Sequence, residues 1–410
     1  MNKRVPKLRF PEFKNDGEWK EKNGNKVFEN ISNKNHNSDL QILAITQEYG
    51  AIPREMINYQ VSVTKESIKS YKIVEIGDFI ISLRSFQGGI EYSKYNGLCS
   101  PAYIILRKKI NVNDCFFKHY FKTDIFIKAM NRNIEGIRDG KMVSYKQFSD
   151  ILLPFPEIPE QEKISDCLLS LDELIEAQTQ KVEVLKQHKK GLMQQLFPQE
   201  GEKVPKLRFP EFRDEEEWEE KRIFEVTTYV DYRGKTPEKS AKGVFLVTAK
   251  NIKMGYIDYS SSKEYIPENN YSNVMVRGIP RVGDVLITTE APCGNVAQID
   301  RTDIALAQRV IKYRCDKNIM INTFFKYILL SPKFQIDLKG KSTGGIVNGI
   351  KGSVLHKMPI KFPKDLKEQE KIAECLSSLD ELIEAQTQKV EALKQHKKGL
   401  MQQLFPSEEI

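Results

Sequence analysis

A few places in this 410-residue chain carry residue types at spacings that chemistry could use. Gly340-Lys341-Ser342-Thr343 matches the end of a loop that cradles nucleotide phosphates. That loop also needs a glycine five residues before Gly340, where Gln335 stands. Glu18-Trp19-Lys20 has the form of a nuclease Glu-x-Lys element, but the same stretch returns later as Glu217-Trp218-Glu219, without the lysine. No Pro-Pro dipeptide occurs, which excludes the Asn/Asp-Pro-Pro-aromatic loop with which amino-methyltransferases hold a flipped base. A glycine-rich dinucleotide loop after a strand is also missing. The histidines His36, His119, His188, His356 and His396 are scattered, and His188 and His396 read as surface or contact residues of a repeated helix. Cys99, Cys115, Cys167, Cys293, Cys315 and Cys375 form no C-x-x-C pair, so zinc and disulfide frameworks are unsupported and reduced cytosolic thiols are expected. The chain reads as a binder with no catalytic, cofactor or metal site of its own.

The elements that must position its binding residues are written twice. Val5-Pro-Lys-Leu-Arg-Phe-Pro-Glu-Phe13 returns unchanged at 204–212, and a tryptophan follows each copy six residues later, Trp19 and Trp218. Glu160–Pro198 and Glu368–Pro406 are both 39 residues long and differ at four positions: Ser165/Ala373, Asp166/Glu374, Leu169/Ser377 and Val184/Ala392. Between these constant blocks lie two largely dissimilar segments, 20–158 and 219–367. They share a skeleton. Gly77-Asp78 enters Phe79-Ile80-Ile81, Gly283-Asp284 enters Val285-Leu286-Ile287, and Gly88 and Gly294 lie ten residues after the aspartates. Short β-branched or aromatic runs broken by Gly, Pro, Asn and Asp predict a mixed α/β domain in each segment, with one fold and two surfaces.

The 39-residue blocks predict long helices. Ile164, Leu168, Leu171, Ile175, Gln178, Val182, Leu185, Lys189, Leu192 and Leu196 alternate steps of four and three, the seam of a coiled coil. Ile372, Leu376, Leu379, Ile383, Gln386, Val390, Leu393, Lys397, Leu400 and Leu404 repeat it. At ~1.5 Å per residue each helix is about 58 Å long. A segment of ~150 residues is roughly 40 Å across. The second variable segment joins the end of the first helix to the start of the second, so an antiparallel pair is favoured. The expectation is a dumbbell with approximate two-fold symmetry. Gln178 and Gln386 are expected to set register, and Lys189 and Lys397 to reach out to solvent.

Composition is that of a soluble globular chain, 40% apolar and 29% charged, with no run near the ~18–20 apolar residues that cross a bilayer. The N-terminal residues lack the apolar stretch of a secretory signal, so no export is expected. Net charge is +8, but it is unevenly held: +5 on 20–158, +10 on 219–367 and −7 on everything else. Basic domains on an acidic frame suit contact with phosphates at two places.

Two variable domains, each followed by a near-identical helix that opens with Glu-Gln-x-x-Ile after a proline-containing tail, resemble the specificity subunit of type I restriction–modification enzymes. The carriers are Pro154-Phe155-Pro156-Glu157-Ile158-Pro159-Glu160-Gln161-Glu162-Lys163-Ile164, its counterpart from Phe362-Pro363 through Ile372, and the two Gly-Asp turns. Asp231-Tyr232-Arg233-Gly234-Lys235-Thr236-Pro237 and the stretch Thr248-Ala249-Lys250-Asn251-Ile252-Lys253 with Gly255 are similar to recurrent elements of that family. The resemblance covers essentially the whole chain.

It implies an α/β (α+β) architecture with target-recognition domains at 1–158 and 204–367 and spacer helices at 159–203 and 368–410. Each domain would read one half of a split sequence in double-stranded DNA. The helices would dock two modification subunits, which carry S-adenosylmethionine and methylate adenine, and two restriction subunits could join them. Loops expected to face DNA are those around Gln47 and Tyr49, around Arg84, Ser85 and Gln87, and around Arg138 and Lys141. In the second domain they are those around Tyr232, Arg233 and Lys235, around Lys250 and Asn251, and around Lys341, Ser342 and Thr343. A structural adaptor that binds protein through its variable domains is the alternative reading.

Overall fold

The structure, a computed structural model, describes residues 4–57, 64–81, 89–132, 144–232, 237–343 and 348–406. The chain forms two compact units, one from residues 1–179 with 388–410 and one from 180–387. Each unit therefore holds one variable segment, one copy of the N-terminal repeat, the first half of one long helix and the second half of the other. The long helices span Ile158–Leu196 and Leu366–Leu404 and stop two residues short of Pro198 and Pro406. Among the described residues no helix is long and apolar enough to cross a membrane.

In the first unit an antiparallel sheet has the strand order Phe28–Ile31, Ile104–Lys108, Phe79–Ile81, Glu91–Tyr92. A hairpin, Leu43–Thr46 with Gly50–Pro53, and a ladder, Lys72–Val74 with Gly97–Cys99, pack beside it. The helix Asp114–Tyr120 buries Phe116 and Phe117 against Phe28, Phe79, Phe121 and Trp19, and this aromatic core also takes in Ile164, Leu168, Leu404 and Phe405 from the long helices. Asn113 caps that helix through Phe116 N (3.0 Å) and accepts a second bond from Ser165 Oγ (2.8 Å), which ties the cap to the long helix.

The second unit repeats the plan with longer strands. Its four-stranded sheet runs Thr227–Asp231, Val310–Cys315, Val285–Thr289, Cys293–Gln298, and its second sheet runs Tyr265–Ile266, Val244–Val247, Ile304–Leu306, the last two parallel. Its core joins Trp218, Tyr313, Phe324, Phe325 and Tyr327 to Met193, Leu196, Ile372 and Leu376 of the long helices. The Gly-Asp turns have one structural explanation in both units. Gly77 and Gly283 take φ of +97° and +89°, where a side chain would be strained. Asp78 and Asp284, both 1% exposed, close the turn by accepting from Glu75 N and Arg281 N and each receive Nε and Nη2 of an arginine on the neighbouring strand of the sheet, Arg107 and Arg314, at 2.7–2.8 Å. Gly294 also has φ of +87° and lies so close to Leu338 that a Cβ would meet it at 3.0 Å; Gly88 lies outside the described residues.

The constant blocks are explained by a buried carboxylate. Glu160, 3% exposed, accepts Arg9 Nε and Nη2 at 2.7 and 2.8 Å and Trp19 Nε1 at 3.0 Å. Glu368, fully buried, accepts Arg208 Nε and Nη2 at 2.8 and 2.7 Å and Trp218 Nε1 at 3.2 Å. The adjacent glutamines are also consumed: Gln161 bridges Asn113 N and Pro156 O, and Gln369 bridges Ile321 N and the carbonyls of Ile319 and Pro363. The residue before each arginine donates to the end of the other long helix, Leu8 N to Gln403 O in the first unit and Leu207 N to Gln195 O in the second.

All twenty seam positions are buried or half-buried, while Leu174, Val184 and Leu382, off the seam, are exposed. Lys189 and Lys397 depart from the expectation that they reach solvent. Within the second unit Lys189 Nζ pairs with Asp380, which also accepts Tyr327 OH at 2.7 Å; within the first, Lys397 Nζ pairs with Asp172, which also accepts His119 Nε2 at 2.9 Å. Each ammonium has a carboxylate on the facing helix, so the side chain has no reason to leave the seam. Running from 172 to 164 on one helix matches 397 to 404 on the other, an antiparallel match inside the first unit, and 189 to 196 matches 380 to 372 in the second.

Because Glu368 is desolvated and held by an arginine, removing it leaves the buried Arg208 without its counter-charge, with only the carbonyls of Glu215 and Glu216 as partners. Glu368→Ala is expected to cost about 3–5 kcal/mol in urea unfolding, whereas Glu370→Ala on the exposed face stays within about 0.5 kcal/mol. Burial acts to raise the Asp172 pKa, but hydrogen bonds from His119 and Lys397 outweigh it and hold the group well below the ordinary aspartate value. A carboxyl depressed on folding adds stability above its unfolded pKa and loses it as pH falls. Stability of the native chain is thus expected to fall as pH drops below about 3.9, and Asp172→Asn to flatten that part of a stability-versus-pH curve.

Candidate nucleic-acid interface

Strand register brings several loops of the second unit to one end of its sheets. Asp231 pairs with Ile311, Thr288 with Val310, and Thr289 with Cys293, so the chain leaves or enters the four-stranded sheet there at 232, 290–292 and 309. In the second sheet Val247 pairs with Leu306 in parallel, which adds the loops that begin at Thr248 and Ala307. Two adjoining open clefts share Ala291. One is lined by Lys239, Thr248, Lys250, Glu264, Gln308 and Arg309 among others, and the next by Pro292, Cys293, Lys339, Ser342 and Asn348. At about 220 and 330 Å³ they lie at or below the small end of ligand pockets, and their rims are cationic. A shallow basic surface of this kind suits a phosphodiester backbone and base edges better than an enclosed small molecule.

The residues expected to face DNA from this unit divide by environment. Lys250, Lys341 and Thr343 are exposed, and Lys250 and Ser342 line the paired clefts. Ser342 caps a helix C-terminus, its Oγ donating to Leu338 O at 2.7 Å, and Thr343 pairs with Gly349 through backbone bonds of 2.9 and 3.1 Å. The Gly340-Lys341-Ser342 stretch thus closes the helix Pro332–Lys341, opposite in polarity to a phosphate loop, which opens one. Asn251 is a correction. It is fully buried, accepting from Thr248 N and Oγ1 (both 2.9 Å) and donating to the carbonyls of Asp258 and Ser262 (both 2.9 Å), so it clips a loop and offers nothing to DNA. Tyr232 is another. It is 7% exposed with its hydroxyl donating to Gly278 O at 2.5 Å, and burial pushes its pKa upward; an aromatic ring here completes the core with Leu246 and Ile299. Arg233 and Lys235 lie outside the described residues.

In the first unit the hairpin Leu43–Thr46/Gly50–Pro53 carries Gln47 and Tyr49 at an exposed tip, Tyr49 being 63% exposed. Thr46 Oγ1 donates to Gly50 O (3.2 Å) and accepts from Tyr49 N (3.0 Å), and Gly50 has φ of +74°, so the tip has a defined shape. Ile42 bridges Leu98 in parallel, which points this tip to the end where the Ser100–Tyr103 turn enters the sheet strand Ile104–Lys108. Arg84, Ser85, Gln87, Arg138 and Lys141 lie outside the described residues.

Sequence reasoning passed over Gln308, Arg309, Glu290, Lys239 and Lys339, which line or flank the clefts of the second unit. The available signal was Ala307-Gln308-Arg309, a short polar turn between the apolar residues Ile304-Ala305-Leu306 and Val310-Ile311. Asn251→Ala is expected to take the amide donor away from the carbonyls of Asp258 and Ser262 and to lower stability by about 1–3 kcal/mol in urea unfolding, with a matching loss for Asn251→Asp.

Comparison with known proteins adds the following. The family described as "Type I restriction modification DNA specificity domain" matches residues 13–187 and again 215–395. The specificity subunit of the type I restriction enzyme MjaVIII of Methanocaldococcus jannaschii is 28% identical over 361 residues, 84% of this chain and 81% of that one. The putative type I restriction enzyme MjaX specificity subunit of the same organism is 24% identical over 372 residues, covering 85% and 82%. Among solved structures, the S subunit of a type I restriction–modification system from M. genitalium superposes with a TM-score of 0.56 at 13% identity, over 98% of this chain and 99% of that one. A chain from work on complex assembly and conformational transition of the type I R-M system gives 0.57 at 16%, over 95% and 98%.

Proposed function

Since the chain belongs to the type I restriction–modification DNA specificity family, we propose that it is the subunit that selects the DNA sequence on which methyltransferase and restriction subunits act. The observation that carries this reading is one frame built twice around two dissimilar sets of polar and basic loops. Equal frames suit equal docking of partner subunits; unequal loops suit two unequal half-sites. Residues 1–158 and 204–367 are assigned as the two target-recognition domains. Residues 159–203 and 368–410 form the spacer, an antiparallel two-helix coiled coil whose length sets the gap between half-sites. The seam burial and the Lys–Asp pairs support that assignment.

Specificity and not catalysis is the role of the chain. S-adenosylmethionine belongs to the methyltransferase partner, which extrudes the target adenine, and this chain determines where. Two modification subunits and up to two restriction subunits match the two equivalent helix surfaces. The reading implies a cytoplasmic protein. Exposed Gln47, Tyr49, Lys250, Lys341 and Thr343 remain candidates for DNA contact, with Arg84, Ser85, Gln87, Arg138, Lys141, Arg233, Lys235 and Ser342.

Replacing residues 20–158 by the corresponding segment of a relative is expected to change one half of the methylated sequence and leave the other intact, as read by mapping methylated adenines across a genome. A change in both halves or in neither contradicts the assignment. The assembled complex is also expected to lose DNA affinity steeply as salt rises; affinity indifferent to salt favours a protein-binding adaptor.

A further inference from the structure

Taking the second unit as a DNA reader, as argued above, we propose that Glu290 and Arg309 together recognise a single G·C base pair in the half-site it reads. Arg309 Nε lies 2.8 Å from Glu290 Oε1, and both side chains are about half exposed, 52% and 45%. The pair is held by fixed backbone. Arg309 has φ of +70°, where glycine fits and an arginine is strained, and its carbonyl accepts both Thr289 N (2.9 Å) and Thr289 Oγ1 (3.3 Å). Glu290 bridges Gly349, and Ile350 N donates to Thr289 O at 2.9 Å. Ala291, next in sequence, also has a positive φ, +49°; the only other such non-glycine residue among those described is Ser38. Two adjoining strained turns therefore hold one acid and one base side by side, at the ridge between the two clefts.

The chemistry of the pair selects its target. A lone cation beside DNA goes to phosphate, and Lys250 and Lys339, exposed on the clefts to either side, are of that kind. An arginine with a carboxylate at its side is different, because the carboxylate repels phosphate. In the major groove guanine presents two acceptors, O6 and N7, which suit a guanidinium, and the cytosine paired to it presents the N4 donor, which suits a carboxylate. The guanidinium carries five N–H donors, more than one carboxylate can take, so it can keep Glu290 and reach guanine. Adjacent donor and acceptor of opposite charge match the edge of a G·C pair and mismatch A·T, where the purine presents one acceptor and one donor.

The test is the methylated-adenine map of a cell that expresses the full chain with its modification partner. Arg309→Gly removes the side chain and relieves the left-handed backbone, so folding is not endangered. Arg309→Gly and Glu290→Gln are expected to keep one half-site unchanged and to lose about tenfold or more discrimination at one G·C position of the other half, the half that persists when residues 20–158 are exchanged. Lys250→Ala, by contrast, is expected to weaken methylation evenly over all sites and to reduce the salt dependence by about one phosphate contact. If Arg309→Gly leaves the motif unchanged, or lowers methylation evenly as Lys250→Ala does, the pair does not read a base. If the native chain itself directs no two-part motif, the DNA-reading assignment fails, and the pair with it.

Discussion

Everything in each unit is referred to one buried carboxylate, Glu160 in the first and Glu368 in the second. It lies in the first turn of a long helix and receives both a two-pronged arginine and an indole N–H from the N-terminal repeat. A buried ion pair of this kind adds little net stability, because desolvation cancels most of the attraction. Its effect is on alternatives: any packing that buries the glutamate without its arginine is heavily penalised. The N-terminal repeat is thereby forced onto the helix start, and the neighbouring backbone bond from Leu8 or Leu207 joins it to the end of the other helix. Three chain segments distant in sequence are locked in one register before any variable residue is considered.

Each variable segment carries a second polar lock of its own, the aspartate after the turn glycine with its arginine on the neighbouring strand. The loops at 232, 248–251, 290–292 and 307–309 emerge from the opposite end of their strands, where Asn251 ties its own loop and Tyr232 packs into the core. The division lets sequence change at the loops without touching the cores. It also explains why most of the basic excess lies in the variable segments: charge there is at liberty to match a polyanion, while in the frame Glu160 and Glu368 are each paired with an arginine.

Much of this was legible from the residues. The repeats located the frame, the seven-residue rhythm of Ile164 to Leu196 located the seam, and the Gly-Asp turns located the equivalent strands. What the sequence could not disclose was which polar residues were already engaged. Asn251 and Tyr232 carry the right chemistry for DNA, yet both are consumed by their own fold, and only their burial and partners reveal it. Lys189 and Lys397 misled in the reverse sense, since a lysine on an apolar seam reads as a misfit until the facing aspartate is known. Arg309 was marked only as part of a short polar turn, because positive φ at a non-glycine residue has no mark in the sequence.

The Lys–Asp pairs of the seam have a genetic corollary. Asp172 and Lys189 are encoded in the first copy of the constant block, but their partners, Lys397 and Asp380, are encoded in the second. A charge lost in one copy removes the counter-charge of a residue in the other, some 190 to 225 residues away. The two copies therefore cannot drift apart one at a time.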